Sequence, residues 1–143
     1  MIYISNLGNL SGKVSESEGS LKAVYEAVQL GFYVRIPVWK LPNALSIGVQ
    51  YPIERVSLGD LSHCICQAMT VETFQFLLRN KVNCYWRESD TFSITNNGII
   101  LSFGSVVLDG SVVMEPELCL MEDILSKPIQ GICSDYISTY VRK

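Results

Sequence analysis

Phe32-Tyr33-Val34-Arg35-Ile36-Pro37-Val38-Trp39 is the stretch on which the architecture turns. It is rich in β-branched and aromatic residues, the composition of a strand. Its alternate positions separate into two faces. Val34, Ile36 and Val38 form one, uniformly apolar and suited to lie under a helix or a second sheet. Tyr33, Arg35, Pro37 and Trp39 form the other. Upstream, Leu21, Val24, Tyr25 and Val28 recur at helical spacing, with Gly31 as a stop and Ser15-x-x-Glu18 as a capping box. Before that helix, Ile2–Ser5 is a short apolar segment that runs into the loop Asn6-Leu7-Gly8-Asn9.

Downstream, Leu41-Pro42-Asn43 reads as a tight turn. The next strand, about 45–49, is therefore expected to return as a hairpin partner rather than through a crossover helix. Residues 61–66 predict a buried strand. Thr70 predicts an N-cap for a helix with Val71, Phe74, Leu77 and Leu78 on one face, ended by Asn80 in a left-handed conformation. Residues 82–86 predict a further strand, followed by short strand-like pieces near 91–94, 99–101, 105–108 and 112–114. Pro116 opens a helical segment to about Leu125, closed by Pro128. Gly131–Cys133 is the last strand, and Ser134 is placed to cap a short terminal helix. Strand–helix–strand alternation at both ends predicts an α/β class with largely parallel pairing.

The bulk composition narrows the field. The chain has 143 residues, 48% hydrophobic and 17% charged, with a net charge of −3. Its mean hydropathy is +0.25 and its pI about 5.1. Disorder is excluded by the apolar content, and no basic field exists to attract nucleic acid or an anionic membrane. No apolar run approaches the roughly 18 residues of a membrane span. Met1-Ile2-Tyr3-Ile4-Ser5 lacks the basic start of a signal peptide. The expectation is one cytoplasmic domain over residues 1–143. Cys64, Cys66, Cys84, Cys119 and Cys133 are odd in number and lack the paired spacing of a zinc site, so they read as buried thiols. In a strand, Cys64 and Cys66 share a face. Gly8 and Gly12 lack the lysine and spacing of a phosphate loop.

Several segments, in chain order, resemble the glycerophosphodiester phosphodiesterase family. Ile4-Ser5-Asn6-Leu7-Gly8-Asn9 looks like that family's opening strand and loop, which usually end in His-Arg-Gly. Val34-Arg35-Ile36-Pro37-Val38-Trp39 is similar to its second strand, usually Glu-x-Asp-Val. Ile47-Gly48-Val49-Gln50-Tyr51-Pro52 sits where the family carries a His-Asp pair, and Leu61-Ser62-His63-Cys64-Ile65 where a strand delivers a lysine. Gly131-Ile132-Cys133-Ser134-Asp135-Tyr136 looks like its closing strand. Asn83-Cys84-Tyr85-Trp86 and Thr95-Asn96-Asn97-Gly98 are similar to segments of its shorter members. The resemblance implies a (β/α)8 TIM-like barrel of the phospholipase-C-like type. With about 18 residues per strand where roughly 30 are usual, that barrel would be minimal and helix-depleted. The alternative is an open α/β sheet.

The same resemblance removes the family's chemistry. Its catalytic histidines are replaced by Asn6 and Val49, its metal carboxylates by Arg35 and Pro37, its aspartate by Gln50 and its lysine by Ile65. The family would use Ca2+ or Mg2+, whose carboxylate ligands are missing here, so no cofactor is expected. Asn6 cannot shuttle protons as histidine does, and Arg35 puts a fixed positive charge where a cation was held. The expectation is a catalytically inactive relative that binds a small anionic, phosphate-type ligand or a protein partner. Two alternatives stay open: a metal-dependent phosphodiesterase with relocated groups, and a structural subunit, with a homodimer among the possible assemblies.

Strand alternation and the resemblance together nominate Asn6, Arg35, Trp39, His63, Gln67, Trp86 and Asp135 as the ligand-binding face, with Pro37, Val49 and Ile65 beside them. Arg35 either binds an anion or pairs internally with Asp135, Glu88 or Asp90. His63, the one histidine, faces away from Cys64 and reads as a core residue. Trp39 and Trp86 either wall a ligand or fill the core. Glu115, Glu117, Glu122 and Asp123 read as a solvated helical face.

Overall fold

The computed structural model describes residues 1–141. Its elements run β1 (Ile2–Asn6), α1 (Leu21–Gln29), β2 (Tyr33–Leu41), β3 (Ala44–Ile47), β4 (Glu54–Val56), β5 (Cys64–Ala68) and α2 (Val71–Arg79). They continue with β6 (Cys84–Tyr85), β7 (Phe92–Ile94), β8 (Ile100–Ser102), β9 (Ser111–Val113), α3 (Met121–Ser126), β10 (Gly131–Ser134) and α4 (Ile137–Val141). All ten strands belong to one mixed sheet. No described helix is long and apolar enough to cross a membrane.

A parallel run β6-β5-β2-β1-β10-β9-β8 makes up most of the sheet. Three pairings are antiparallel: β2 with β3, β3 with β4, and β7 with β8. The long β2 is shared among three neighbours. Tyr33–Arg35 pair with β1, Val34–Val38 with β5, and Val38–Leu41 with β3.

This corrects the expected fold. The protein is a sheet-dominated mixed fold of ten strands with four short helices among the described residues, and not a (β/α)8 barrel. The reason lies in the connections. A parallel return needs a crossover of about a dozen residues, usually helical. Pro42-Asn43 is a two-residue turn, and Thr95–Ile99 spans only five. Both therefore reverse the chain into hairpins, as foreseen for the first of them.

Each face of the sheet has its own core. Val34, Ile36, Val38, Cys64, Cys66, Ala68 and Cys84 pack against Val24 and Ala27 of α1 and Leu77 of α2. Ile4, Ile65, Tyr85, Leu101, Val112 and Cys133, joined by Phe103 and Met114, pack together on the other face. Ile132 and Val113 lie under Ile124 of α3 and Ile137 of α4. Asn96 N–H donates to the Cys84 carbonyl at 3.1 Å, and Asn96 Oδ1 accepts from Cys84 N–H at 3.0 Å. These two bonds tie the β6 edge to the loop of the β7–β8 hairpin.

The helix boundaries differ in three places from the sequence reading. Ser20, not Ser15, caps α1, its hydroxyl accepting from Ala23 N–H. Thr70 caps α2 as expected, but the left-handed residue that ends it is Lys81 at φ 55°, not Asn80. The segment opened by Pro116 is also broken, a single 3-10 turn at Pro116–Leu118 preceding α3.

Candidate functional site

The parallel strands end on one side of the sheet, the usual place for ligands in parallel α/β sheets. Asn6 closes β1, Asp135 follows β10, Glu115 lies just beyond β9, Phe103 follows β8 and Arg87 follows β6. Arg35, in β2, is the register partner of Asn6 and points away from the helices because Val34 and Ile36 point toward them.

Arg35 is held by three neutral acceptors. Nε donates to the Tyr85 hydroxyl at 3.0 Å, Nη1 to Asn6 Oδ1 at 3.2 Å, and Nη2 to Gln67 Oε1. A guanidinium carries five N–H groups, so two remain. Asn6 in turn donates Nδ2 to Asp135 Oδ1 at 2.9 Å, and Asp135 accepts a second bond, also 2.9 Å, from the buried Asn9. Arg35 thus reaches Asp135 through an amide, and Glu88 and Asp90 are exposed.

The charge states follow from these surroundings. Burial disfavours the charged form of Arg35, but the Tyr85 hydroxyl, Cys133 and Asp135 outweigh it and hold its pKa above the ordinary value. Burial also raises the Tyr85 pKa against the opposing pull of Arg35. Tyr85 stays a neutral phenol and Arg35 a cation. Cys133, beneath them, is pushed by burial up to about 12.

Beside this network lies a cavity of about 90 Å3, lined by Asn6, Arg35, Arg87, Phe103, Met114 and Glu115. That is room for a few waters or one group the size of a phosphate or carboxylate. The Arg87 guanidinium carbon sits 3.7 Å from the Phe103 ring centroid. Its buried Nε has no hydrogen-bond partner. Glu115 Oε2 accepts the Gly104 N–H at 2.6 Å.

Of the nominated residues, Asn6, Arg35, Gln67 and Asp135 come together. The others do not. Trp39 donates Nε1 to the Gly48 carbonyl at 2.8 Å in the β2–β3 hairpin. Trp86 packs against Phe74 of α2, ring centroids 6.4 Å apart, on the opposite face of the sheet. His63 precedes β5, is exposed, and lies 6.4 Å from the Tyr33 ring. Val49 is exposed beyond β3, and Ile65 is buried in the second core.

Sequence reasoning missed Tyr85, Asn9, Arg87, Phe103, Met114 and Glu115. Tyr85 is placed by strand pairing rather than by a pattern in the sequence: Cys84 pairs with Cys66, whose face is covered by helices, so the next residue points the other way. Glu115 lines the cavity rather than a solvated helical face.

The chain matches no protein-family model, no curated protein and no solved structure. The donor set does not suit a hard divalent cation. Two arginines and a single carboxylate line the cavity, and among the described residues no three His, Cys, Asp or Glu side chains converge.

Proposed function

We propose that this protein binds a small anionic, phosphate-type ligand at Arg35 without hydrolysing it, as a catalytically inactive relative of the glycerophosphodiester phosphodiesterases. One observation carries the reading. Arg35 is fixed by three neutral acceptors, so its charge is oriented but not cancelled by direct pairing, and two of its N–H groups remain. An oxyanion that accepts a pair of such bonds gains charge-assisted hydrogen bonds from a cation already in place. The convergence of Asn6, Arg35 and Asp135 from three separate segments is consistent with the resemblance that nominated them. Tyr85 is held as a phenol and His63 lies elsewhere, so the site offers no histidine for acid–base work of the kind the family uses.

The Asn6 bridge to Asp135 favours a second reading, in which the network only plugs the sheet end and takes no ligand. Thermal melting with inorganic phosphate, glycerol phosphates, Ca2+ and Mg2+, beside a diesterase assay, separates the two. Ligand at 100 times Kd adds about 2.7 kcal/mol of stability. For a chain of this length that is roughly 5–10 °C. The proposal expects such a rise with phosphate, its loss in Arg35→Lys, and no diesterase activity. No shift with any anion supports the plug, and metal-dependent hydrolysis overturns both.

A further inference from the structure

Resting on the anion-binding reading above, we propose that the cavity selects a tetrahedral oxyanion that still carries a proton, phosphate over sulfate, with Arg87 as the second cation and Glu115 as the acceptor of the ligand's O–H. The cavity wall is of mixed character. Arg35 and Arg87 offer only donors, and Glu115 offers only acceptors.

Arg87 is placed for this role by its ring contact. With its guanidinium carbon 3.7 Å from the Phe103 ring centroid, Arg87 is held by a cation–π interaction, and its Nη2 also donates to the Asp90 carbonyl at 3.4 Å. The edge atom Nε is buried and without a hydrogen-bond partner. That nitrogen is sealed in the packing, so the donors left for an oxyanion in the cavity are the Nη groups of this cavity-lining guanidinium.

Glu115 sets the selectivity. Its Oε2 is anchored by the Gly104 N–H at 2.6 Å, which fixes the carboxylate at the cavity wall. A fully deprotonated anion meets that carboxylate as a like charge with no hydrogen bond between them. A protonated phosphate oxygen instead donates to it, turning the repulsion into a charge-assisted bond. Sulfate has the same shape but no proton at pH 7. A site built around an acceptor rejects a ligand that lacks the matching donor.

The experiment is calorimetric titration of the whole chain with sodium phosphate and sodium sulfate at pH 7 and equal ionic strength. Phosphate is expected to bind at least about tenfold more tightly than sulfate. Glu115→Gln supplies a donor amide and should bring the two within about threefold, while Arg87→Gln should weaken phosphate at least about tenfold. Equal affinities in the unmutated protein, which need no variant to fold, overturn the selectivity. An unchanged preference in Glu115→Gln, or unchanged phosphate binding in Arg87→Gln, overturns the assigned roles and leaves anion binding at Arg35 standing. Binding of neither anion, or binding indifferent to Arg35→Lys, removes the reading on which this rests.

Discussion

Asn6 donates its Nδ2 to Asp135 Oδ1 at 2.9 Å, a bond between residues 129 positions apart. It joins the end of the first strand to the residue after the last, on strands paired in parallel. The same carboxamide accepts from Arg35 Nη1 at 3.2 Å. One amide thus serves both a cation and an anion, and its orientation is dictated by them.

Removing that amide should expose its double role. Asn6→Leu leaves Arg35 and Asp135 each short of a partner, and hydrogen bonds to charged groups contribute about 1.5–3 kcal/mol. Because the site is half-buried, a loss of about 2–3 kcal/mol is expected from urea unfolding. Asn6→Asp should instead pair directly with Arg35 and abolish phosphate binding.

Tyr85→Phe keeps the buried ring and deletes the acceptor of Arg35 Nε. The expected cost is about 1–3 kcal/mol, the range for a buried donor left unpaired. Its ring contacts, including that with Phe103 at 6.3 Å between centroids, should persist. The denaturant slope should therefore be unchanged, which equilibrium unfolding reports directly.

The thiols make stability fall with alkalinity. Burial raises Cys64 and Cys133 to about 12 and Cys84 to about 11. In the unfolded chain the same groups ionise near 8.5–9. Above about pH 9 the unfolded state binds fewer protons than the native one, so the free energy of unfolding declines as pH rises. The effect runs from about pH 9 until the native thiols themselves ionise. Urea midpoints at pH 8, 9 and 10 under reducing conditions should fall in that order. At pH 8 a thiol reagent should label Cys119, the half-buried one, well before the four buried residues.

Gly131 is fixed by backbone proximity rather than by its dihedrals. A Cβ there would stand 2.4 Å from the Ile2 carbonyl oxygen, on the neighbouring strand β1. Gly131→Ala should cost about 1–3 kcal/mol or more, as overpacking does. Gly59→Ala, where a Cβ meets only Ser57 Oγ at 3.7 Å, should stay within about 0.5 kcal/mol. Thermal melts of the two variants make the comparison.

Much of this arrangement was legible in the residues. The alternation of Val34, Ile36 and Val38 placed Arg35 on the opposite face, and Pro42-Asn43 announced the hairpin. Three things escaped. The pleat through residues 82–86 is read one position off if Trp86 is turned inward. The burial of Tyr85 in its place follows only from the pairing of Cys84 with Cys66. His63 fails because β5 begins one residue later, and alternation means nothing outside a strand. Arg87 and Glu115 lie in irregular segments beyond strand ends, where no periodicity exists to orient a side chain. The fold class failed for a related reason: resemblance at strand ends implied a barrel, whereas connection lengths set hairpins.

The central claim is that anions bind at Arg35, and arginine Nε–H nuclear magnetic resonance during a phosphate titration tests it most directly. The account predicts saturable shifts of the Arg35 and Arg87 signals, with Arg55 and Arg79 unmoved. Signals that all drift together with ionic strength, or an Arg35 signal that stays still at saturating phosphate, would contradict it.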